Sequence, residues 1–273
     1  MTEWPQSLAL VGAGKMGGAM LQGWLDGGLA PSRIVIVDPA PSPDIVALAA
    51  ARGIALNPAI DGRSTPEALI LAIKPQMLDA AASELAKLAG AQTLVVSIVA
   101  GKTIANLQAR MPAARAFVRA MPNTPAAVGR GVTGAAANAA VTPSQRETTR
   151  ALLSAVGRFE WLPEESLIDA VTALSGSGPA YTFALVEALA EAGAALGLAE
   201  DLAMRFARAT IEGAGELMYR EPQTSAARLR ENVTSPGGTT AAALAVLRAP
   251  DGLAALMRRA VAAAHKRAGE LAG

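Results

Sequence analysis

Short runs of Val, Ile and Leu alternate with helical stretches through roughly the first 160 residues of the chain. The clearest runs are 8–11, 34–37, 69–73 and 94–98, and shorter candidates follow at 116–119, 132–136 and 159–162. Continuous apolar runs of this length predict strands buried on both faces, as in a parallel sheet flanked by helices. Between the last two candidates, Thr142-Pro143-Ser144-Gln145 has the form of a capped helix start, with Pro in the first turn and Gln positioned to close a capping box. Beyond about Glu164 the strand-like runs vanish, and Ala-, Leu- and Glu-bearing segments recur up to Leu271, which predicts helix throughout. Breaks fall at 175–179, around Gly197, near Glu221-Pro222, at 235–238 and at 250–252. The chain therefore divides near Leu162 into an α/β domain, 1–162, and an all-α domain, 163–273.

Composition narrows the chemistry. With 273 residues, 52% of them hydrophobic, the chain can bury real cores. Lys plus Arg number 24 against 23 Asp plus Glu, so no charge excess exists to attract nucleic acid or an anionic membrane. Aromatic residues are too sparse for a base-stacking platform, at 3%. The absence of Cys removes disulfides, thiolate nucleophiles and thiolate metal sites, and His265 alone cannot build a histidine metal cluster. Residues 1–7 do not read as a signal peptide, and Glu187 and Glu191 interrupt the greasy stretch 183–199, which predicts an amphipathic helix and not a membrane span. The expectation is a cytoplasmic protein with no metal.

The run 8–11 leads directly into Gly12-Ala13-Gly14-Lys15-Met16-Gly17 and then into an apolar helical stretch. This is GxGxxG in its required setting of strand, tight turn and helix start, which makes the α/β domain Rossmann-type and a binder of NADH or NADPH. The second apolar run ends in Asp38, where a carboxylate can accept hydrogen bonds from ribose hydroxyls and repel a 2′-phosphate, favouring NADH. Asp38-Pro39 also reads as a plain strand end, and Arg33 and Arg63 are the cations available if NADPH is used. Lys74 and Pro75 leave the third run at the edge where ligands sit in open α/β sheets, although a solvated strand-end lysine reads the same way.

Three further segments carry candidate chemistry. Met121-Pro122-Asn123-Thr124-Pro125 forms a rigid loop suited to a nicotinamide wall, or an ordinary turn. The glycine-rich break around Ser177 separates two helices. At Ser235-Pro236-Gly237-Gly238-Thr239-Thr240, small residues and hydroxyls open a helix, a setting that suits a carboxylate or is simply a capped start.

Jointly, in order and in spacing, these segments resemble the pyrroline-5-carboxylate reductase family along nearly the whole chain. The resemblance implies reduction of 1-pyrroline-5-carboxylate to L-proline by NAD(P)H, the last step of proline synthesis. It implies substrate binding by Ser235, Gly237, Gly238, Thr239 and Thr240, with Thr240 near the imine nitrogen as the catalytic residue. It further implies cofactor contacts from Gly12 to Gly17, Lys74, Pro75, Met121, Asn123 and Ser177. Asp38 departs from the family pattern, because members preferring NADPH carry small polar or basic residues there.

The side-chain inventory agrees with an imine substrate. A carbonyl reductase needs an acid or base at the reacting oxygen, commonly His or Lys. No Lys lies between Lys102 and Lys266, and His265 reads as a surface residue. A β-hydroxyacid dehydrogenase is the competing enzyme, but its catalytic helix lysine is missing. A non-enzymatic dinucleotide sensor is the competing class, and a second small-molecule pocket at 235–240 argues against it. The apolar helices of 163–273 exceed what one small bundle buries, so a homodimer or larger homo-oligomer is expected, as the resemblance also implies.

Overall fold

The computed structural model describes residues 4–60 and 65–272. The described residues form an eight-stranded sheet in the order β3-β2-β1-β4-β5-β6-β7-β8. The strands are β1 (Leu8–Val11), β2 (Ile34–Val37), β3 (Ala55–Leu56), β4 (Ala68–Leu71), β5 (Leu94–Ser97), β6 (Ala116–Met121), β7 (Gly131–Ala137) and β8 (Gly157–Trp161). Helices α1 (Lys15–Asp26), α2 (Pro43–Arg52), α3 (Leu78–Leu88), α4 (Ile104–Arg110), α5 (Pro143–Ser154) and α6 (Ile168–Val171) accompany them. Then come α7 (Gly178–Ala195), α8 (Glu200–Arg220), α9 (Ala226–Asn232), α10 (Thr239–Leu247) and α11 (Leu253–Ala272).

Period-two alternation sorts the strand side chains onto two faces. Leu8 and Leu10 of β1, Ile70 of β4 and Val118 of β6 face α1, α2 and α5, packing with Met20, Trp24, Ile45 and Leu152. Ala9, Val11, Leu69, Leu71 and Phe117 face the other way, against Leu78 and Leu85 of α3 and Leu107 of α4. Both faces are covered, which is why the runs are continuously apolar. The predicted start of α5 is a capping box, in which the Thr142 hydroxyl accepts from the Gln145 N–H and the Gln145 side chain accepts from the Thr142 N–H.

The sheet departs from the all-parallel expectation at one place. β6 and β7 pair antiparallel, while β7 and β8 are parallel. The connection 122–130 is shorter than the roughly twelve residues a crossover requires, so the chain turns straight back along the neighbouring strand. Because β2 and β4 flank β1, the strand order reverses beside β1, and the crevice at its carboxyl end is the expected ligand position.

The chain falls into two compact units, 1–176 with 265–273, and 177–264. In the second unit the buried apolar residues are only Ala190, Ala203 and Ala207. Small residues let α7 and α8 approach closely: a Cβ added at Gly193 would lie 3.2 Å from that of Ala203. Phe183, Leu196 and Phe206 are left 64%, 89% and 60% exposed in the single chain. No described helix is long and apolar enough to cross a membrane.

Candidate active site

Each glycine of the loop after β1 has its own physical reason. Gly12 sits at φ +89°, and a Cβ there would lie 2.7 Å from the Ala72 carbonyl oxygen, while its N–H donates to the Val37 carbonyl at 2.9 Å. A Cβ on Gly17 would run into the Gly12 carbonyl oxygen, so α1 can start this close to β1 only with glycine there. Gly14 is different, because a Cβ on it would meet nothing within 4 Å. Among the described residues no atom requires glycine at 14. The open space above it adjoins the start of α1, which no side chain caps and which holds no acidic residue in its first turn. A helix N-terminus with free space and unclaimed N–H groups fits a pyrophosphate, so these residues fit a dinucleotide. Lys15 is exposed at this start, and Met16 is half-buried beside it.

The flanking strands bring two more predicted residues to the same sheet edge. β4 pairs Leu71 with Val11, and the Ala72 N–H donates to the Val11 carbonyl at 2.8 Å, so Lys74 and Pro75 emerge beside the glycine loop. Lys74 is exposed there. On the other side Asp38 follows β2, and its Oδ2 accepts from the Ala13 N–H at 2.7 Å. Arg33, by contrast, precedes β2 and lines a cavity at the amino end of the strands with Gln6, Ser7 and Pro66. At about 3.3 Å per residue the strand separates it from Asp38 by roughly 16 Å, so Arg33 does not serve a 2′-phosphate. Arg63 lies outside the described residues.

At the carboxyl end of β6, Met121 and Asn123 organise a neighbouring segment. The Asn123 side-chain oxygen accepts from the Val132 N–H at 2.8 Å, and its amide donates to the Ser175 carbonyl at 3.1 Å. Met121 abuts Gly176, where a Cβ would lie 2.8 Å from the methionine methyl. Ser175 and Gly176 end a single π-type turn, Thr172–Gly176, an irregularity frequent at functional sites. Two strand positions earlier, Arg119 is buried and pairs with Asp169 at 3.0 Å and Glu165 at 3.4 Å; Glu165 also accepts from the Ile104 N–H at 2.8 Å. Sequence reasoning missed this triad, although a lone Arg inside the run Ala116–Met121 was its signal. Arg119→Met is expected to lower the unfolding free energy by about 2–3 kcal/mol, because it strands two partly buried carboxylates. Urea unfolding measures this, and an unchanged midpoint would mean the carboxylates are adequately solvated without the guanidinium.

The remaining predicted residues belong to the second unit. Ser177 precedes α7. Ser235 accepts, through its carbonyl, from the Gly238 N–H at 3.1 Å, and Gly237 adopts φ +68°, together turning the chain into α10. No side chain caps α10, Thr239 is exposed and Thr240 is half-buried in its first turn. The Thr234 hydroxyl is already committed to the Arg230 carbonyl at 2.6 Å. Uncapped N–H groups and a threonine hydroxyl suit a carboxylate-bearing ligand. His265 is exposed, and among the described residues no group of His, Asp or Glu could hold a metal.

Comparison with known proteins matches residues 165–271 to the family described as pyrroline-5-carboxylate reductase dimerisation, and residues 7–101 to the family described as NADP oxidoreductase, coenzyme F420-dependent. The pyrroline-5-carboxylate reductase of Pseudomonas aeruginosa is 38% identical over 97% of this chain and 96% of its own. Among solved structures, the pyrroline-5-carboxylate reductase of Coxiella burnetii has a TM-score of 0.88 and 34% identity over 98% of this chain and 99% of its own. That of Plasmodium falciparum, solved with NADP bound, has a TM-score of 0.77 and 25% identity over 98% of each chain.

Proposed function

The chain belongs to the pyrroline-5-carboxylate reductase family, and from that membership we propose that it reduces 1-pyrroline-5-carboxylate to L-proline with NADH or NADPH, the last step of proline biosynthesis. One observation carries this reading: the likeness runs through 97% of the chain, so it takes in both the dinucleotide loop and the helix start at 235–240. We further propose a functional division into a cofactor domain, 1–162, and a substrate and dimerisation domain, 163–273, in a cytoplasmic homodimer or larger homo-oligomer.

When bound, the reduced nicotinamide supplies the hydride that the imine carbon accepts, while the ring nitrogen takes up a proton. The chain's own residues hold and orient the two reactants. Gly12 to Gly17 offer the pyrophosphate the N-terminus of α1, and Lys74 and Pro75 stand at the adjoining strand end. Met121 and Asn123 fix the turn at 172–176 through the contacts described above. Ser235, Gly237, Gly238 and Thr239 receive the substrate carboxylate at the uncapped start of α10, and the Thr240 hydroxyl lies near the imine nitrogen. A protonated imine is already a strong electrophile, so positioning supplies much of the rate and no His or Lys acid is needed.

The deciding experiment is steady-state oxidation of NADH and NADPH with 1-pyrroline-5-carboxylate, with proline identified as the product. No oxidation with either dinucleotide would overturn the reading. Thr240→Val is expected to lower kcat by about tenfold to a hundredfold while leaving dinucleotide affinity unchanged, because a hydrogen bond made mainly in the transition state is lost. Equal loss of affinity and turnover would instead mark collapse of the helix start.

A further inference from the structure

We propose that the chain selects NADH over NADPH, and that Asn57 is the positioning residue that makes the selection firm by locking Asp38 beside the glycine loop. The selection depends on the dinucleotide half of the proposed function and not on the imine.

β3 is only two residues long, and its register with β2 ends at the pair Ile36 and Leu56. The ladder nevertheless continues. The Asn57 N–H donates to the Ile36 carbonyl at 2.8 Å, and the Asn57 side chain then takes the place of the next peptide unit. Its Oδ1 accepts from the Asp38 N–H at 2.8 Å, and its Nδ2 donates to the Asp38 carbonyl at 2.7 Å. Asn57 can do this because it adopts φ +50°, turning the main chain away while the amide points back along β2. Among the described residues it is the one non-glycine with positive φ, and after glycine Asn is among the residue types that tolerate that region best. A residue in a sparsely populated conformation, clamping another on both main-chain groups, signals a position whose geometry matters.

What is clamped is a carboxylate. Asp38 Oδ2 accepts from the Ala13 N–H inside the glycine loop, and Oδ1 accepts from the Ala40 N–H at 2.9 Å. An ionised carboxylate offers about four acceptor positions, so it retains capacity for two ribose hydroxyls. The same fixed charge repels a 2′-phosphate.

The segment after Asp38 is also poor in what a phosphate needs. Pro39, Pro41 and Pro43 have no N–H and the Ala40 N–H is committed to Asp38, while the Ser42 hydroxyl oxygen is held as the cap of α2 by the Ile45 N–H and keeps a single O–H to offer. From Asp38 to Ala51 the chain carries no Lys or Arg, while Asp44 adds a second acid in the first turn of α2. Phosphate recognition at a strand end relies on such cations and N–H groups.

The test is direct titration of dinucleotide binding without imine, following reduced-nicotinamide fluorescence for NADH and NADPH. The expected Kd for NADH is lower than that for NADPH by about tenfold or more. Asp38→Ser is expected to bring the ratio near one or to invert it. Asn57→Gly, which keeps the positive φ but removes the amide, is expected to shrink the ratio several-fold while the thermal midpoint stays close to wild type. A wild-type protein that binds NADPH as tightly as NADH overturns the proposal. An Asn57→Gly protein that weakens both dinucleotides equally removes Asn57 from it. Failure to turn over the imine bears on the proposed reaction and leaves this binding ratio unaffected.

Discussion

Gly17→Ala is expected to reduce kcat/KM by about a hundredfold or more, through misplacement of the first turn of α1 by about 1 Å. The added methyl would meet the Gly12 carbonyl oxygen, a main-chain atom held in place by the tight turn and unable to swing aside as a side chain would. Either the helix start or the loop must move, and both belong to the proposed pyrophosphate site. Gly14→Ala separates ligand effects from folding effects, because a methyl there meets no atom of the described residues within 4 Å. It should melt like wild type, yet bind NADH at least several-fold more weakly. Thermal melting and fluorescence titration read both variants. Wild-type affinity in Gly14→Ala would mean that the pyrophosphate does not pass over this residue.

Phe206→Asp is expected to convert the homo-oligomer to monomer or aggregate and to abolish activity at low micromolar concentration. Phe206 on α8 is 60% exposed in the single chain, and the unit around it buries only alanines. Such a unit has too little apolar interior to account for helices as greasy as α7 and α10, so the exposed faces need a second copy. Burying one Phe contributes about 1.5–3 kcal/mol per subunit, and replacing it with an unpaired carboxylate adds a desolvation penalty. A twofold arrangement applies this twice, weakening association by about a thousandfold or more. Sedimentation velocity of the variant decides, and a fully active dimer would place Phe206 outside the interface. The wild-type protein should lose activity on dilution in parallel with its mass.

Much of this molecule is legible without coordinates because its signals are local. A run such as Leu8–Val11 is apolar at every position because both faces of the strand are covered, and that requirement is written in four consecutive residues. The capping box at Thr142 and Gln145 spans a single helical turn, and the helix breaks at Gly197, Pro222 and Gly252 follow from residues that cannot continue a helix well. The glycine loop was readable for the same reason, since turn, helix start and close packing are all set within six residues.

Other features depend on partners remote in sequence. Arg119 finds Glu165 and Asp169 at separations of 46 and 50 residues, and no local periodicity encodes which acids it meets. The return of β7 antiparallel to β6 depends on a connection too short for a crossover, which the expectation of a parallel sheet overlooked. Asn57 resembles an ordinary turn residue until its amide is seen completing the β2 ladder and holding Asp38. Seven of the eight strands, the helix breaks, the glycine loop and the family could be read from the residues alone, because backbone preference and burial act over neighbouring residues; the two-residue β3 could not, since two positions carry no periodicity. What holds Asp38, what Arg119 neutralises and how little the second unit buries emerge only in the folded chain, because they depend on which distant groups share one small volume.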